Sequence, residues 1–264
     1  MLFTILMISC LGGEDNTTQC FDTLTTFQNG VPLAEDKTVL PVKTLTFSGI
    51  EFDTVAMELR LPCEKLTELR QRITLLLDCK NTTLREIQSI NGLLNFACQV
   101  VVPGRAFCRR LIDATCKVKK SWHKVRILVD MKKDLQVWLN FLDGYNGVSV
   151  MLDHFWTSNE VLEFYADSAG GTGSQKGFGI YFQGKWAQGS WPLDWEKNDI
   201  LRDMTCLELY PVVVAIQLWR DQLKNKKVLF HIDNQSVVTI LNKKSSKSCR
   251  VMSLVRKLVL ISLR

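Results

Sequence analysis

The stretch "EFYADSAGGTGSQKGFGIYFQGKWAQGSWP", residues 163–192, decides how the C-terminal part of this chain folds. Alternating apolar and polar positions predict strands at 161–167, 177–183 and 185–191. The glycine-rich segment after the first strand lacks the G-K-[ST] ending of a phosphate-binding loop and leads into a strand, so it indicates a hairpin turn. Asp167 ends the first, apolar strand with a charge, as a strand cap or as a functional group.

The sequence that follows extends these strands into an α/β domain. It predicts a long helix at about 205–223 and a strand at 226–233. Helical sequence then runs to the end of the chain, with a break at "KKSSKS". Three strands, a helix, a strand and a helix are typical of a mixed sheet covered by helices, and we place the start of this domain near residue 150.

The sequence before residue 150 is mainly helical. Residues 37–60 alternate around Gly49 and predict a β-hairpin or meander. From Pro62 to about Asp143, apolar residues recur at helical spacing. One stripe contains Leu66, Leu69, Ile73 and Leu76, and a second contains Leu84, Ile87, Ile90, Leu94 and Ala97.

Local signals place the ends of these helices. Thr83 followed by Glu86 resembles a capping box. A break at Pro103-Gly104 precedes another amphipathic segment, which we expect to begin near Arg105. The last helix of this part is expected to end at the glycines and asparagine of 144–147.

Composition excludes several classes of protein. The 264 residues are 46% hydrophobic, enough for a sizeable core, and the net charge of +6 permits an anionic partner. The nine cysteines show neither a C-x-x-C pair nor zinc spacing, so we predict reduced thiols and no structural metal. No basic region precedes the apolar start, and no stretch approaches the roughly 20 apolar residues of a membrane helix. We therefore expect an intracellular protein of the cytoplasm or nucleus that is not secreted.

Two further acids stand in surroundings like those of Asp167. Glu208 has apolar neighbours at the start of the predicted long helix, where the helix dipole would contribute about 0.3 to 1 kcal/mol in the first turn. Asp233 ends its strand as Asp167 does, and if the two strands are neighbours their carboxylates meet beyond the sheet. His231 lies two positions before Asp233 and should point to the same face, but we assign it no catalytic role.

Three carboxylates in one place repel one another unless cations bind to them. Hard oxygen ligands suit magnesium or manganese, and two such ions about 3.5 to 4 Å apart promote phosphodiester hydrolysis. Each acid alone could be a cap, a turn residue or half of an ion pair. Two acids at strand ends and a third on the intervening helix are harder to explain as three unrelated structural residues. We predict Asp167, Glu208 and Asp233 as catalytic residues and as ligands of two Mg²⁺ or Mn²⁺ ions.

With these acids placed, residues 161–264 resemble a ribonuclease H domain. The resemblance is carried by "YADSAG", "TCLELYPVVVAI" and "LFHIDNQSVV", in the order Asp, Glu, Asp. Over about residues 28–264 the chain is similar to the reverse transcriptase and ribonuclease H polyprotein of DIRS-type retrotransposons, which integrate with a tyrosine recombinase. This similarity is carried by "GLLNFACQVVVPGRAFCRRLID", "WLNFLDGYNGVSV" and "KGFGIYFQGKWAQGSWP".

The resemblance implies a domain plan. Residues 28–61 would be the end of a polymerase palm, 62–150 a helical thumb and connection, and 151–264 a ribonuclease H-like domain, with 1–27 unassigned. The paired-aspartate motif of the polymerase is absent, so we expect no polymerisation. The mixed sheet is expected to be incomplete at the C-terminus, since the family's fourth acid lies in a later strand and helix.

The implied activity is metal-dependent hydrolysis of the RNA strand of RNA/DNA hybrids. Truncation leaves an alternative open, which is a catalytically inactive retroelement remnant that binds nucleic acid. A nuclease or transposase of the same fold that acts on DNA is a third interpretation.

Basic side chains concentrate between Arg105 and Lys133 and again after Asp233. They are either solvated helix faces or phosphate contacts whose binding falls steeply with salt. Trp122 within the first run either stacks on nucleic acid or belongs to the core. The predicted nucleic-acid-binding residues are Arg105, Arg109, Arg110, Lys119, Lys120, Lys124, Lys243 and Lys244, and the expected partner is an RNA/DNA hybrid or another nucleic acid duplex, not a membrane.

Overall fold

The structure, a computed structural model, describes residues 42–116, 118, 120–145, 148–150, 161–170, 176–224 and 226–263. Within these ranges the chain is a mixed α/β protein with two four-stranded sheets and one two-stranded sheet. The unassigned segment 1–27 and residues 28–41 lie outside the described residues, as does most of the glycine-rich turn, 171–175.

The N-terminal sheet begins with the predicted meander. Its strands are β1 (Thr44–Phe47), β2 (Ile50–Asp53) and β3 (Glu58–Arg60), which pair antiparallel in sequence order. Ser48 and Gly49 join β1 to β2 with positive φ angles of 50° and 79°, which is the geometry of a tight two-residue hairpin turn.

Four helices follow: α1 (Cys63–Asp78), α2 (Leu84–Ala97), α3 (Arg109–Cys116) and α4 (Val129–Tyr145). Both predicted apolar stripes are buried, the first on α1 and the second on α2, so these helices are confirmed. The capping box is confirmed as well, because the Glu86 amide donates to the Thr83 hydroxyl and the Thr83 amide donates to the Glu86 carboxylate.

The connections between these helices differ from the prediction. A 3-10 helix occupies Val102–Phe107, so the helix expected near Arg105 begins at Arg109. Gly104 sits where the buried Trp138 ring of α4 comes so close that a Cβ would lie 2.3 Å from it. The bulk of Trp138 therefore favours glycine at this break.

Three short strands were not predicted. β4 (Asn81–Thr83) pairs antiparallel with β5 (Lys124–Arg126), and β6 (Val148–Val150) pairs with β3. The last pairing returns the chain after α4 to the N-terminal sheet, in the order β1-β2-β3-β6. Each strand has three residues, too few for a period of two to be recognised.

The C-terminal sheet contains β7 (Val161–Ala169), β8 (Gly177–Phe182), β9 (Lys185–Gly189) and β10 (Lys227–His231). Its order is β10-β7-β8-β9, with β7, β8 and β9 antiparallel and β10 parallel to β7. The four predicted strands are confirmed. The β7–β8 pairing also confirms the hairpin, and β9 and β10 end two residues earlier than expected.

Four described helices belong to this part of the chain, and the longest of them packs on one face of the sheet. They are α5 (Leu193–Lys197), α6 (Met204–Leu223), α7 (Gln235–Lys243) and α8 (Cys249–Ser262), with a 3-10 helix at Ile200–Arg202 between the first two. Ala215 of α6 packs against Leu162, Phe164, Ile180 and Phe182 of β7 and β8. The rings of Phe164 and Phe182 stack with centroids 4.1 Å apart. Alternate residues of β7 and β8 consequently face away from α6.

A second, larger core joins the two parts of the chain. Leu209 and Val213 of α6 and Val255 of α8 belong to the same buried cluster as Leu94 and Trp138 of the helical part. The domain boundary near residue 150 stays a prediction, since residues 151–160 lie outside the described residues. No described helix is long and apolar enough to cross a membrane.

Candidate active site at the ends of β7 and β10

Asp167 and Asp233 lie near the carboxyl ends of two adjacent parallel strands, β7 and β10. Asp233 comes two residues after β10 ends, whereas β7 continues two residues beyond Asp167 to Ala169, so the prediction that Asp167 ends its strand was wrong. β10 is hydrogen-bonded to β7 in parallel, and the register pairs His231 with Tyr165. Two residues further along each strand direction come Asp233 and Asp167, and both line one hollow of about 880 Å³. The prediction that these strands are neighbours is confirmed.

Glu208 is only 5% exposed and reaches the same region from α6, which packs on β7. The helix begins at Met204, so Glu208 lies in its second turn, and placing it in the first turn was wrong. The N-terminal position belongs to Asp203, whose carboxylate accepts a hydrogen bond from the Cys206 amide. Because the dipole effect falls off within the first turn, it does not explain the buried charge of Glu208.

The pKa of Glu208 is raised above its usual range, and burial is the largest cause. The negative charges of Asp233 and Asp167 raise this pKa further, while the nearby Ser168 hydroxyl lowers it. Ser168 Oγ and Glu208 Oε2 are nevertheless both buried without a hydrogen-bond partner of good geometry among the described residues. Glu208 is thus within electrostatic reach of both aspartates.

The donor chemistry at this place suits a divalent cation. Carboxylate oxygens are the ligands that magnesium and manganese prefer, and Glu208 Oε2 is a buried oxygen that lacks a partner within the described residues. Asp167 Oδ1 accepts a hydrogen bond from the Ser168 amide at 2.8 Å. As the described side chains stand, no three acids, histidines or cysteines lie close enough to hold one ion together. The metal therefore stays a prediction.

A row of ring side chains next to the two aspartates escaped the sequence-based prediction. His231, Tyr165, Tyr181 and Trp186 pair across all four strands on the face that points away from α6. The available signal was the outward position of three of the rings next to a phenylalanine, as in Tyr165 after Phe164; Trp186 has no such neighbour. The register that aligns the rings is not visible in a single sequence.

Several of the predicted nucleic-acid-binding residues are engaged in ion pairs. Arg109 contacts Asp113 at 2.6 Å, and Arg110 contacts the buried Asp134 at 2.6 Å. Arg109 forms its ion pair within α3, and Arg110 links α3 to α4. The charges of both arginines are therefore partly neutralised within the protein. Lys119 lies outside the described residues.

Other predicted basic residues remain on the surface. Lys124 is exposed on β5, and the Lys120 ammonium lies 5.5 Å from the centroid of the Trp122 ring. Trp122 is 68% exposed, so the alternative of a core tryptophan was wrong. An exposed tryptophan beside a lysine is compatible with nucleic-acid contact.

The structure brings together two basic residues from distant segments. Lys244 follows the last residue of α7, Lys243, and adopts a left-handed conformation. Its pKa is lowered by burial and by the positive charge of Arg105, which belongs to the 3-10 helix at Val102–Phe107. Arg105 and Lys244 therefore lie close enough for their positive charges to interact.

Comparison with solved structures gives a weak likeness. No protein-family model matches the chain, and no curated protein matches it. Among solved structures, one match is the foamy viral protease-reverse transcriptase in complex with an RNA/DNA hybrid, with a TM-score of 0.40 and 14% identity. The match covers 93% of this chain and 32% of that one, so the chain spans about a third of that protein.

Proposed function

We propose that this chain is a retroelement-derived, ribonuclease H-like protein that hydrolyses the RNA strand of RNA/DNA hybrids with the help of divalent metal ions. One observation carries the proposal. Asp167 and Asp233 line one hollow near the carboxyl ends of adjacent parallel strands, and the negative charges of both raise the pKa of the buried Glu208. Carboxylates brought together in this way are typical of metal-dependent phosphodiester hydrolysis.

The architecture around the acids supports this choice. Three antiparallel strands, a long helix on their inner face and a fourth strand parallel to the first supply the acids in the order Asp, Glu, Asp. This is the arrangement expected from the ribonuclease H resemblance of residues 161–264. The helical region from α1 to α4 would then correspond to the thumb and connection of a DIRS-type polyprotein, without polymerase activity.

The roles of the residues follow from their positions. Asp167 and Asp233 would hold the ions at the rim of the sheet, and Glu208 would supply an oxygen from below. Bound Mg²⁺ or Mn²⁺, two ions in this proposal, would provide the positive charge that activates water and stabilises the leaving oxygen. Water would attack the phosphorus in line and leave a 3′ hydroxyl. Arg105 and Lys244 would contact phosphates of the substrate.

A second candidate is a catalytically inactive protein that binds nucleic acid. It is favoured by the fact that, in the part of the chain the structure describes, no three ligands converge on one ion position. The exposed basic residues would serve binding in either case, because phosphate contacts do not need the acids.

The test is cleavage of the labelled RNA strand in an RNA/DNA hybrid by the purified full chain, with manganese and with chelator. Asp167→Asn should abolish cleavage and leave hybrid binding intact. Loss of an outer-shell partner already lowers metal affinity or activity about 10- to 100-fold, so loss of a ligand should exceed that. Asp221→Asn is the matched control, because the Asp221 side chain is 97% exposed on α6.

The outcomes separate the candidates. Metal-dependent cleavage that disappears only in Asp167→Asn supports the proposal. A folded protein that binds the hybrid in a salt-dependent manner but does not cleave it is the inactive remnant. Faster cleavage of duplex DNA than of the hybrid would instead identify a DNA nuclease or transposase of the same fold.

A further inference from the structure

A continuous row of rings crosses the C-terminal sheet on the face opposite α6. The register places His231 beside Tyr165, Tyr165 beside Tyr181 and Tyr181 beside Trp186. Adjacent strands lie about 4.8 Å apart, so the row spans roughly 14 Å. We call these four residues the ring row.

The ring row is open to solvent. Tyr165 is 45% exposed, Tyr181 48% and Trp186 70%, so three large rings on one face of the sheet are open to solvent. Because large rings cost free energy when they face water, an exposed row of this kind marks a binding surface.

One end of the ring row is held in a fixed arrangement. Tyr165 and His231 stack with ring centroids 4.4 Å apart and planes 7° from parallel. The Tyr165 hydroxyl donates to Glu163 at 2.8 Å, and His231 Nε2 lies 3.8 Å from the same carboxylate. These contacts fix two rings before any ligand arrives and engage the charge of Glu163.

The ring row and the two aspartates line the same hollow of about 880 Å³. The next row of the sheet contains Asp167, Gly179 and Gln188 in register. A Cβ at Gly179 would meet no atom within 4 Å, so the floor of the hollow is open there. A ligand can therefore touch the rings and the acids at once.

We propose that the ring row binds unpaired bases of a single-stranded nucleic acid segment by stacking, and that the adjoining phosphate lies at the two aspartates. The position of the phosphate rests on the proposed hydrolase function, whereas the stacking does not. The substrate would then be a nucleic acid that has an unpaired stretch, since bases within a duplex are covered by their neighbours.

The chemistry of the row favours bases over a protein segment. Every base offers a flat π face, and stacking on aromatic side chains accommodates any sequence. An apolar protein segment would need exposed aliphatic surface. Among the described residues on this face of the sheet, Leu229 of β10 is the one large aliphatic side chain that is exposed. A cationic peptide is the remaining rival, because Asp167 and Asp233 are acidic.

The experiment compares two labelled strands by fluorescence anisotropy in the presence of Mg²⁺. One is a short oligoribonucleotide, and the other has the same length and the same phosphates but lacks bases. The Asp167→Asn chain serves as background, so that no cleavage interferes. Trp186→Leu and Tyr181→Leu keep apolar bulk and remove the π face. Leu193→Ala, at an 86% exposed position on α5, is the matched surface control.

The expected result is tighter binding of the strand with bases, and a loss of about 5- to 100-fold in its affinity for each ring replaced. The control variant and the baseless strand should show no such loss. Equal binding of both strands, or unchanged binding by both leucine variants, overturns the proposal. Selective binding of an arginine-rich peptide that the leucine variants abolish also overturns it, in favour of a cationic partner.

The two proposals fail separately. Binding that depends on bases, together with no cleavage of any hybrid by the unmodified chain, retains the ring row and rejects the hydrolase. Cleavage of the hybrid without base-dependent binding retains the hydrolase and rejects the ring row as a binding site for bases. Because the replaced rings are on the surface, far-ultraviolet circular dichroism should confirm that the variants fold.

Discussion

Glu208 is a carboxylate whose surroundings favour its protonated form. Burial and the charges of two neighbouring aspartates raise its pKa, and burial is the larger cause. The folded state therefore binds this proton more tightly than the unfolded chain does. With respect to this group, stability is greatest below the unfolded pKa and is lost as the pH rises through the folded pKa.

The raised pKa of Glu208 can be tested with Glu208→Gln, because glutamine has nearly the same shape as glutamate and carries no charge. In the absence of divalent metal, the variant should be more stable than the unmodified chain at pH 7, and the difference should shrink towards pH 4. Urea unfolding at both pH values measures it. Glu68→Gln, on the surface of α1, should change stability by less than about 0.5 kcal/mol at either pH. A variant that is less stable at pH 7 would show that Glu208 is favourably paired in its ionised form.

At the level of the elements, local patterns were sufficient wherever they were long. The stripes of α1 and α2 and the alternation of β7 and β8 could be read from the sequence, because a helix or a long strand repeats its period several times. The acids at the ends of β7 and β10 were predictable for the same reason, since each follows an apolar run.

What escaped prediction depends on partners distant in sequence. β6 is a strand because β3 is available to pair with it, and the ring row exists because four strands adopt one register. The register of β8 and β9 is set by Gln183 and Gly184, whose φ angles of 47° and 78° make a two-residue turn. Ion pairing likewise decided which arginines are available to a ligand.

The 3-10 helix at Val102–Phe107 offers a test of packing between elements. Gly104→Ala would place a methyl group 2.3 Å from the buried Trp138 ring, and overpacking of this kind costs about 1 to 3 kcal/mol. Gly92→Ala is the matched control inside α2, where a Cβ would meet nothing within 4 Å. It should stabilise the protein by up to about 1 kcal/mol because alanine is the better helix former. Urea unfolding compares the two, and equal effects would contradict close packing at Gly104.

On the scale of the whole molecule, a buried charge cluster joins three helices. Asp134 of α4 is 2% exposed and contacts Arg110 of α3 at 2.6 Å and Arg256 of α8 at 3.4 Å. Burial raises the pKa of Asp134 to about 6, although the positive charges of both guanidiniums act to lower it. The Asp134 carboxyl is therefore mostly ionised at pH 7. Asp134 Oδ2 and Arg256 Nε lack hydrogen-bond partners of good geometry within the described residues. The cluster is therefore incompletely satisfied.

Two variants of this cluster should behave in opposite ways. Asp134→Ala leaves the buried Arg256 without its counter-ion and should cost about 3 to 5 kcal/mol. Replacing both groups, with Asp134→Leu and Arg256→Met, should be neutral or stabilising by about 1 to 4 kcal/mol, since two imperfectly paired charges no longer have to be desolvated. Arg110 also lies 3.9 Å from Asp130, which neither variant changes.

Because α8 belongs to the same core as the helical part, both variants should unfold in one urea transition at pH 7, followed by circular dichroism and by tryptophan fluorescence. If the double variant is as unstable as Asp134→Ala, the buried charges contribute net stability by holding α3, α4 and α8 in register. Two separate transitions would mean that the helical part and the C-terminal sheet fold independently despite their shared core.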